Sequence, residues 1–417
     1  MTRSADIVVV GGGMVGLTAA LAMAPSGLSI VVLDNNPLPP SALVEQVKNL
    51  QTAGYDPRVS ALTCASQCFL ERLGVWAAIA EMRLSPYTDM DVWDGEGSGH
   101  IHFDCDALHE THLGHIVENR VTLAALYQAA MLVPNIDIRT DAAVTQLSDP
   151  DPVTLRRSLV CADSSIIEAP LVVAADGAHS KTRRMASIPM WEWDYGHHAI
   201  VTTVRTALPH QQTAWQRFTD DGPLAFLPLD DAHLSSIVWS TSPDHAKQLM
   251  ELDEIAFHAA LERAFESKLG EIVGSDQRYA VPLRQRHAKY YVQPGLAVIG
   301  DAAHTIHPLA GQGVNLGLMD AAALAEQVLA AVERGERFES EQVLKRFQRQ
   351  RQGSNLQMSA MMELFKQLFG HQQPLLKLVR GLGMNWLDQL SLAKDHLVML
   401  AMGLGDDIPK LARRRPK

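Results

Sequence analysis

The chain of 417 residues has only four cysteines, Cys64, Cys68, Cys105 and Cys161. So few thiols, so widely spread, exclude a disulfide-built scaffold and leave buried reduced thiols as the expectation. Basic residues are outnumbered 36 to 47, and the net charge of −11 argues against nucleic acid as a partner. No uninterrupted apolar run reaches the ~18 residues of a membrane-spanning helix. Met1 to Asp6 passes straight into an apolar run, without the regions of a secretory leader, so a cytoplasmic protein is expected. Repeats and low-complexity segments are missing as well.

What is present is the composition of a folded enzyme, 47% hydrophobic and 20% charged. The length exceeds what one core usually supports, which predicts two lobes and an appended helical segment. Ile7 to Val10 reads as a strand, Gly11-Gly12-Gly13 as a turn, Met14 to Ala24 as a helix and Leu28 to Leu33 as a second strand. Pro37, Pro39 and Pro40 mark a loop, and Val59 to Ile79 then reads as helical around Leu62, Phe69, Leu70, Leu73 and Trp76. From about 195 to 240 short alternating runs predict an antiparallel sheet, with Asp230 to His233 as a hairpin turn. Leu296 to Ile299 is again a buried-strand pattern, Val314 to Val332 reads as a helix, and the chain from about 340 is helical.

Gly11 to Gly16 fits G-x-G-x-x-G between a strand and a helix. In that context Gly11 permits the turn, Gly13 admits a pyrophosphate, and Gly16 lets helix and strand pack closely, while Asp34 ends the second strand where a carboxylate accepts from a ribose hydroxyl. This motif alone leaves FAD and NAD(H) both open. Two further segments bear on the choice: Val172 to Ser180, an apolar strand ended by Asp176-Gly177, and Leu296 to Asn315, containing Gly300-Asp301 and the loop Gly311-Gln312-Gly313. A carboxylate at the end of a buried strand is costly unless donors meet it, and a ribityl chain would supply them to Asp301. Amides near Gly313 and Val314 would then face a flavin ring where reduction builds negative charge.

These three signatures, in this order and spacing, resemble the class A flavoprotein monooxygenases of the para-hydroxybenzoate hydroxylase type. Within that class Tyr55 to Leu62, Gly114 to Arg120 and Gly300 to Leu318 resemble the ubiquinone-biosynthesis hydroxylases. Leu73 to Trp76, Trp193 to Ala199, Ala225 to Leu229 and Ser236 to Ser240 bring the likeness nearest to the bacterial 2-octaprenylphenol hydroxylases. The resemblance implies an α/β fold: a Rossmann-type FAD-binding domain over 1–90, 120–185 and 286–335, an insertion over 91–119, an antiparallel-sheet substrate domain over 186–285, and a C-terminal helical region with a basic tail over 336–417. It implies that Gly11, Gly13, Met14, Val15 and Gly16 hold the FAD pyrophosphate and Asp34 the adenosine ribose. Arg58 and Arg120 lie along the phosphates or ribityl chain, and Val144 meets the adenine through its backbone. Asp176 serves both FAD and the nicotinamide donor, Gly300 and Asp301 meet the ribityl chain, and Pro308 with Gly311, Gln312, Gly313, Val314 and Asn315 frames the isoalloxazine.

The implied reaction uses NAD(P)H and O2 to convert a 2-polyprenylphenol to a 2-polyprenyl-6-hydroxyphenol in ubiquinone biosynthesis through a flavin C4a-hydroperoxide. Hydroxylation at another ring position, a flavin oxidase or reductase, and a non-catalytic assembly subunit stay open. So do other proteins of the pathway as partners, self-association, and a peripheral place on the inner membrane. No catalytic side chain is assigned. The histidines between His100 and His115 read as a polar strand and loop rather than a metal site. His304 and His307 read as braces of the flavin loop, and Met358 to Phe369 as an apolar stripe of core or subunit packing, with a surface for a polyprenyl tail as the alternative. Lys410 to Lys417 reads as a solvated basic end, with a membrane or partner contact as the alternative.

Overall fold

Ile7–Val10, Ile30–Leu33 and Leu171–Ala174 are four-residue runs with every residue buried. Strands apolar on both faces belong inside a parallel sheet covered by helices. The computed structural model, which describes residues 2–48, 50, 54–95, 99–305, 313–370 and 407–414, places them there. The six-stranded sheet runs in the order Val292–Gln293, Leu296–Val298, Leu171–Ala174, Ile7–Val10, Ile30–Leu33, Ile136–Arg139, parallel throughout except at the Val292–Gln293 edge. Helix α1 (Met14–Met23) packs against Asn119–Met131 and against a later helix, α3 (Gly313–Glu333). Strands from three distant stretches of sequence thus build one sheet, and its core runs continuously into α3 and the first turns of α4 (Glu341–Gly370). Among the described residues α3 is the one helix long and apolar enough to cross a membrane, and most of it is buried inside this core.

The second layer is a nine-stranded sheet whose long central strand, Met190–Thr206, pairs antiparallel with Leu234–Thr241 and Tyr279–Ala288. The turn at Asp231 joins Gly222–Pro228 to Leu234–Thr241, as the alternation predicts. Not every pairing is antiparallel: Thr213–Thr219 runs parallel to Asp89–Asp94, bringing the insertion into this sheet. The two faces have different tasks. Ile200, Phe226, Ile237 and Trp239 pack on Phe257, Leu261 and Phe265 of the helix Glu254–Ala264 and its exit. Ala225, Leu227, Leu229 and Val238 point the other way, onto Ala61, Cys64 and Ile116.

Two expectations are corrected. Val59 to Ile79 is not helical throughout: Val59–Thr63 is a strand paired with Gly114–Glu118, and Thr63 caps α2 (Cys64–Arg72) by accepting from the Ser66 amide. The strand wins because its residues gain ladder hydrogen bonds and burial that a lone extra helical turn lacks. Nor are residues 410–414 a solvated end. Ala412 is 2% exposed in the main core, the Leu411 amide donates to Glu326 at 2.6 Å, and Arg414 makes a two-pronged pair with Glu110 at 2.7 and 2.6 Å. The side chains of Met361 to Phe369 lie outside the described residues.

His115 and His287 are buried, and desolvation holds their imidazoles down to about 3 and about 4. Their folded values lie below the unfolded 6.5, so the unfolded chain takes up protons that the fold refuses as pH falls from about 6.5 toward 4. Stability is therefore lost with acid across that window, at up to roughly 1.4 kcal/mol per pH unit for each histidine. Melting temperatures measured from pH 7 to 4 should fall less steeply in His115→Asn/His287→Phe than in the parent; equal slopes would show that these imidazoles do not carry the effect.

Candidate active site

Strand Ile7–Val10 ends at Gly11, whose φ of +109° belongs to glycine and whose added Cβ would lie 2.3 Å from the Ala175 carbonyl oxygen. A Cβ on Gly16 would lie 1.9 Å from the Gly11 carbonyl oxygen, so α1 can start this close to the strand only without a side chain there. At Gly13 a Cβ would meet nothing within 4 Å. That open step at the first turn of α1, beside amides with no intrahelical partner, is the room and the donor set that a pyrophosphate needs. Asp34 faces the same turn: one carboxylate oxygen accepts from the Gly12 amide at 2.5 Å and the other from the Asn36 amide at 2.7 Å. Asp141 and Ala142 donate back to Asn36 and Asp34, which sets Val144, buried two residues on, beside this edge.

Gly300 and Asp301 follow the strand Leu296–Val298. Gly300 has φ +59°, and its missing side chain leaves space filled by Val15; Gly317 of α3 closes on the same valine. Met14 and Val15 therefore stand at the crossing of α1, α3 and the Gly300 turn, with Val15 as the packing wedge. The Asp301 side chain is open to solvent, yet the protein mass around it pushes its carboxyl up, while His304 and Arg58 pull it down, which puts Arg58 within electrostatic reach of Asp301. At the start of α3, Gly313 and Val314 are half-buried, and Asn315 is held fast: it donates to the Ala61 carbonyl at 2.7 Å and accepts from Ser66 at 2.7 Å and the Thr63 amide at 3.1 Å. Asn315 thereby fixes the helix start to the strand that carries the apolar face. Pro308, Gly311 and Gln312, with His307, lie outside the described residues.

Arg120 and Asp176 are committed within the protein. Arg120 pairs with Glu118 at 2.7 Å and donates to the Gly54 carbonyl. Glu118, 4% exposed, also binds Arg83 at 2.6 Å and accepts from the Asp56 amide at 2.6 Å, so this one carboxylate holds the loop that presents Arg58. Asp176 caps the helix Lys181–Met185, accepting from Ser180 and from the Thr182 amide and hydroxyl at 3.0 Å. Reading the sequence missed Glu118, Arg183, Arg286, Asp320 and Arg351. Asp320 carried a signal, a carboxylate inside an otherwise Ala- and Leu-rich helix; the three arginines did not.

The residues from 4 to 360 match the model of the FAD binding domain family. The chain is 38% identical to the 3-demethoxyubiquinol 3-hydroxylase of Escherichia coli over 96% of its own length and 98% of that protein's. It is 35% identical to the ubiquinone hydroxylase UbiL of Rhodospirillum rubrum, covering 99% and 94%, and 33% identical to the mitochondrial ubiquinone biosynthesis monooxygenase COQ6 of Xenopus tropicalis, covering 95% and 93%. The chain belongs to the FAD-dependent ubiquinone-biosynthesis hydroxylase family. Its fold is shared with p-nitrophenol 4-monooxygenase PnpA of Pseudomonas putida, at a TM-score of 0.75 and 20% identity over 97% and 99% of the two chains. PqsL of Pseudomonas aeruginosa, a probable FAD-dependent monooxygenase, matches at a TM-score of 0.74 and 18% identity, covering 92% and 100%. The protein is thus an FAD-dependent aromatic-ring monooxygenase, with NAD(P)H and O2 as the co-substrates of its class.

The glycine geometry separates cofactor contact from packing. Gly13→Ala should leave the melting temperature of the FAD-free chain unchanged within about 2 °C while weakening FAD binding in a fluorescence titration, because its methyl meets no protein atom and enters only the open space at the first turn of α1. Gly16→Ala should lower the melting temperature of the FAD-free chain itself. Equal melting losses for the two variants would refute this division.

Proposed function

We propose that this protein hydroxylates the ring of a polyprenylated phenol, a reading supported by the glycine turns at Gly11, Gly13 and Gly300 that leave room for FAD, together with the 38% identity to a 3-demethoxyubiquinol 3-hydroxylase. When bound, FAD takes electrons from NAD(P)H and supplies one oxygen atom of O2 to the ring. The chain's part is to bind, orient and exclude water. Gly13 and the first amides of α1 receive the pyrophosphate, Asp34 turns to the ribose, Arg58 and Asp301 flank the ribityl chain, and Val144 offers backbone to the adenine. Gly313 and Val314 direct the positive end of α3 toward the ring, where it favours the negatively charged reduced state. For the nicotinamide donor, Asp176 shapes a turn ringed by Arg183, Arg184 and Arg286, with Arg286 donating to the Ala178 carbonyl at 3.1 Å. Those guanidinium groups suit a phosphate-bearing ligand.

Position 6 of a 2-polyprenylphenol is our first reading of the reacting carbon. The 38% identity to a protein named 3-demethoxyubiquinol 3-hydroxylase favours a second, oxygenation of a more substituted ring later in the same pathway. Offering the purified protein both substrates with short prenyl chains under 18O2 distinguishes them. Labelled 6-hydroxyphenol supports the first; label at ring position 3 of the demethoxyquinol supports the second; NAD(P)H oxidation that yields only peroxide with both defeats the proposal. Asp301→Ala should weaken FAD by roughly 1.5–3 kcal/mol, the range for a hydrogen bond to a charged group, and an unchanged affinity would remove Asp301 from the ribityl contact.

A further inference from the structure

Asp320 sits two turns into α3 with no exposed surface, on the side of the helix that faces the Gly300 turn. One carboxylate oxygen accepts from the Gly300 amide at 3.1 Å and meets His304 Nε2 at 2.5 Å. The other accepts from Arg351 Nε at 2.9 Å and Asn355 Nδ2 at 3.0 Å, both on α4, and Arg351 also donates to Asn355 Oδ1 at 2.8 Å. Asn355 reaches the Tyr291 hydroxyl at 3.2 Å, and the Tyr291 ring lies over His304 with centroids 6.0 Å apart. Arg351 and Asn355 are themselves buried, at 3% and 0% exposure.

A carboxylate with no access to water is costly unless its partners are complete, and removing one partner of such a set is far worse than never having built it. Burial would raise this carboxyl, but His304 and Arg351 override it and hold it below the usual carboxylate range. The Ala- and Leu-rich face around it could have been closed by another apolar residue without that cost. What an apolar residue could not do is grip the Gly300 amide and the His304 ring together. Gly300 and His304 flank Asp301, so the Asp320 carboxylate holds the residues on both sides of the ribityl-facing one.

We infer that Asp320 is a positioning residue for the flavin, clamping the Gly300 to His304 turn from beneath, and that Arg351 and Asn355 make α4 part of the flavin site by fixing Asp320 in turn. This inference rests on the family's FAD and is independent of which ring the enzyme oxidises. α4 also packs against the strands Thr213–Thr219 and Gly222–Pro228 of the large sheet, so the clamp ties the flavin turn to both layers of the molecule.

The test compares Asp320→Asn/Arg351→Gln, which removes both charges at nearly constant volume, with Arg157→Met. Arg157 is equally buried but serves the Pro294 and Ser148 carbonyls, away from the flavin turn. Melting temperature of the FAD-free chain and FAD affinity by fluorescence titration are read for each, with the flavin absorption spectrum and the ratio of peroxide to NAD(P)H consumed. The clamp variant is expected to bind FAD at least about tenfold more weakly, a cost of about 1.4 kcal/mol, to shift the flavin bands and to release more peroxide. Arg157→Met is expected to keep FAD affinity within about twofold and the parent's spectrum, whatever its loss of melting temperature. FAD affinity and spectrum unchanged in the folded clamp variant would overturn the inference. So would FAD weakening in both variants in proportion to their melting losses. If the clamp variant does not fold, Asn355→Ala, which deletes one donor to the same carboxylate, must weaken FAD at least threefold; less than that counts against it.

Discussion

Two helices, α1 and α3, begin at the same end of the six-stranded sheet, and they can do so only because Gly16, Gly300 and Gly317 have no side chains. A methyl on Gly16 would overlap the Gly11 carbonyl, and one on Gly317 would come within 2.6 Å of Val15. This close approach sets everything above it. It aims the first amides of α1 at the open space over Gly13 and brings the start of α3 to the edge of the apolar sheet face. It also places Asp320 beneath the Gly300 turn. Protein interiors yield little to overlap, so a contact this tight selects one arrangement of helix starts rather than a family of similar ones.

Legibility in the sequence followed the range of the interactions. Gly11 to Asp34 could be read because the strand, turn, helix and strand are contiguous and each glycine answers a local demand. The buried strand that ends at Gly300-Asp301 and the helix from Gly313 could be read for the same reason, with a carboxylate marking the end of the strand. The strand Val59–Thr63 could not, since its apolar spacing suits a helix and only pairing with Gly114–Glu118, more than fifty residues on, decides the matter. Arg351 and Asn355 were invisible for a stronger reason. On a long polar helix they look like surface residues, and only the fold turns them toward Asp320.

Among the described residues, two buried carboxylates each gather several donors. Glu118 gathers Arg83, Arg120 and the Asp56 amide, and Asp320 gathers His304, Arg351, Asn355 and the Gly300 amide. Each satisfies its acceptor capacity almost completely, the condition under which a buried carboxylate fixes geometry rather than destabilising the fold. They hold two segments that face each other: Glu118 the loop that carries Arg58, Asp320 the turn that carries Asp301. Arg58 and Asp301 feel each other's charge across the space between them. These two exposed groups are thus set by two buried ones, and their separation is fixed by the packed core rather than by their own mutual attraction.

The C-terminal segment shows the same division between what is charged and what holds. Its basic residues suggested a free cationic end. In the fold Arg414 faces Glu110, and Lys410 and Arg413 act on Glu326, so the positive charge is matched by acids of the protein's own body. Yet the Arg414 side chain is 51% exposed, and an ion pair that open to water contributes at most about 1 kcal/mol. The firm attachment is apolar and backbone-mediated: Ala412 in the core with Ile408 and Leu411 against it, the Leu411 amide on Glu326, and the Arg413 carbonyl accepting from Arg72. Glu326 belongs to α3, Arg72 to α2 and Glu110 to the loop before Gly114–Glu118, so residues 408–414 fasten α3 to α2 and to that loop. Charge decides which acids the segment lies against, and apolar burial decides that it stays.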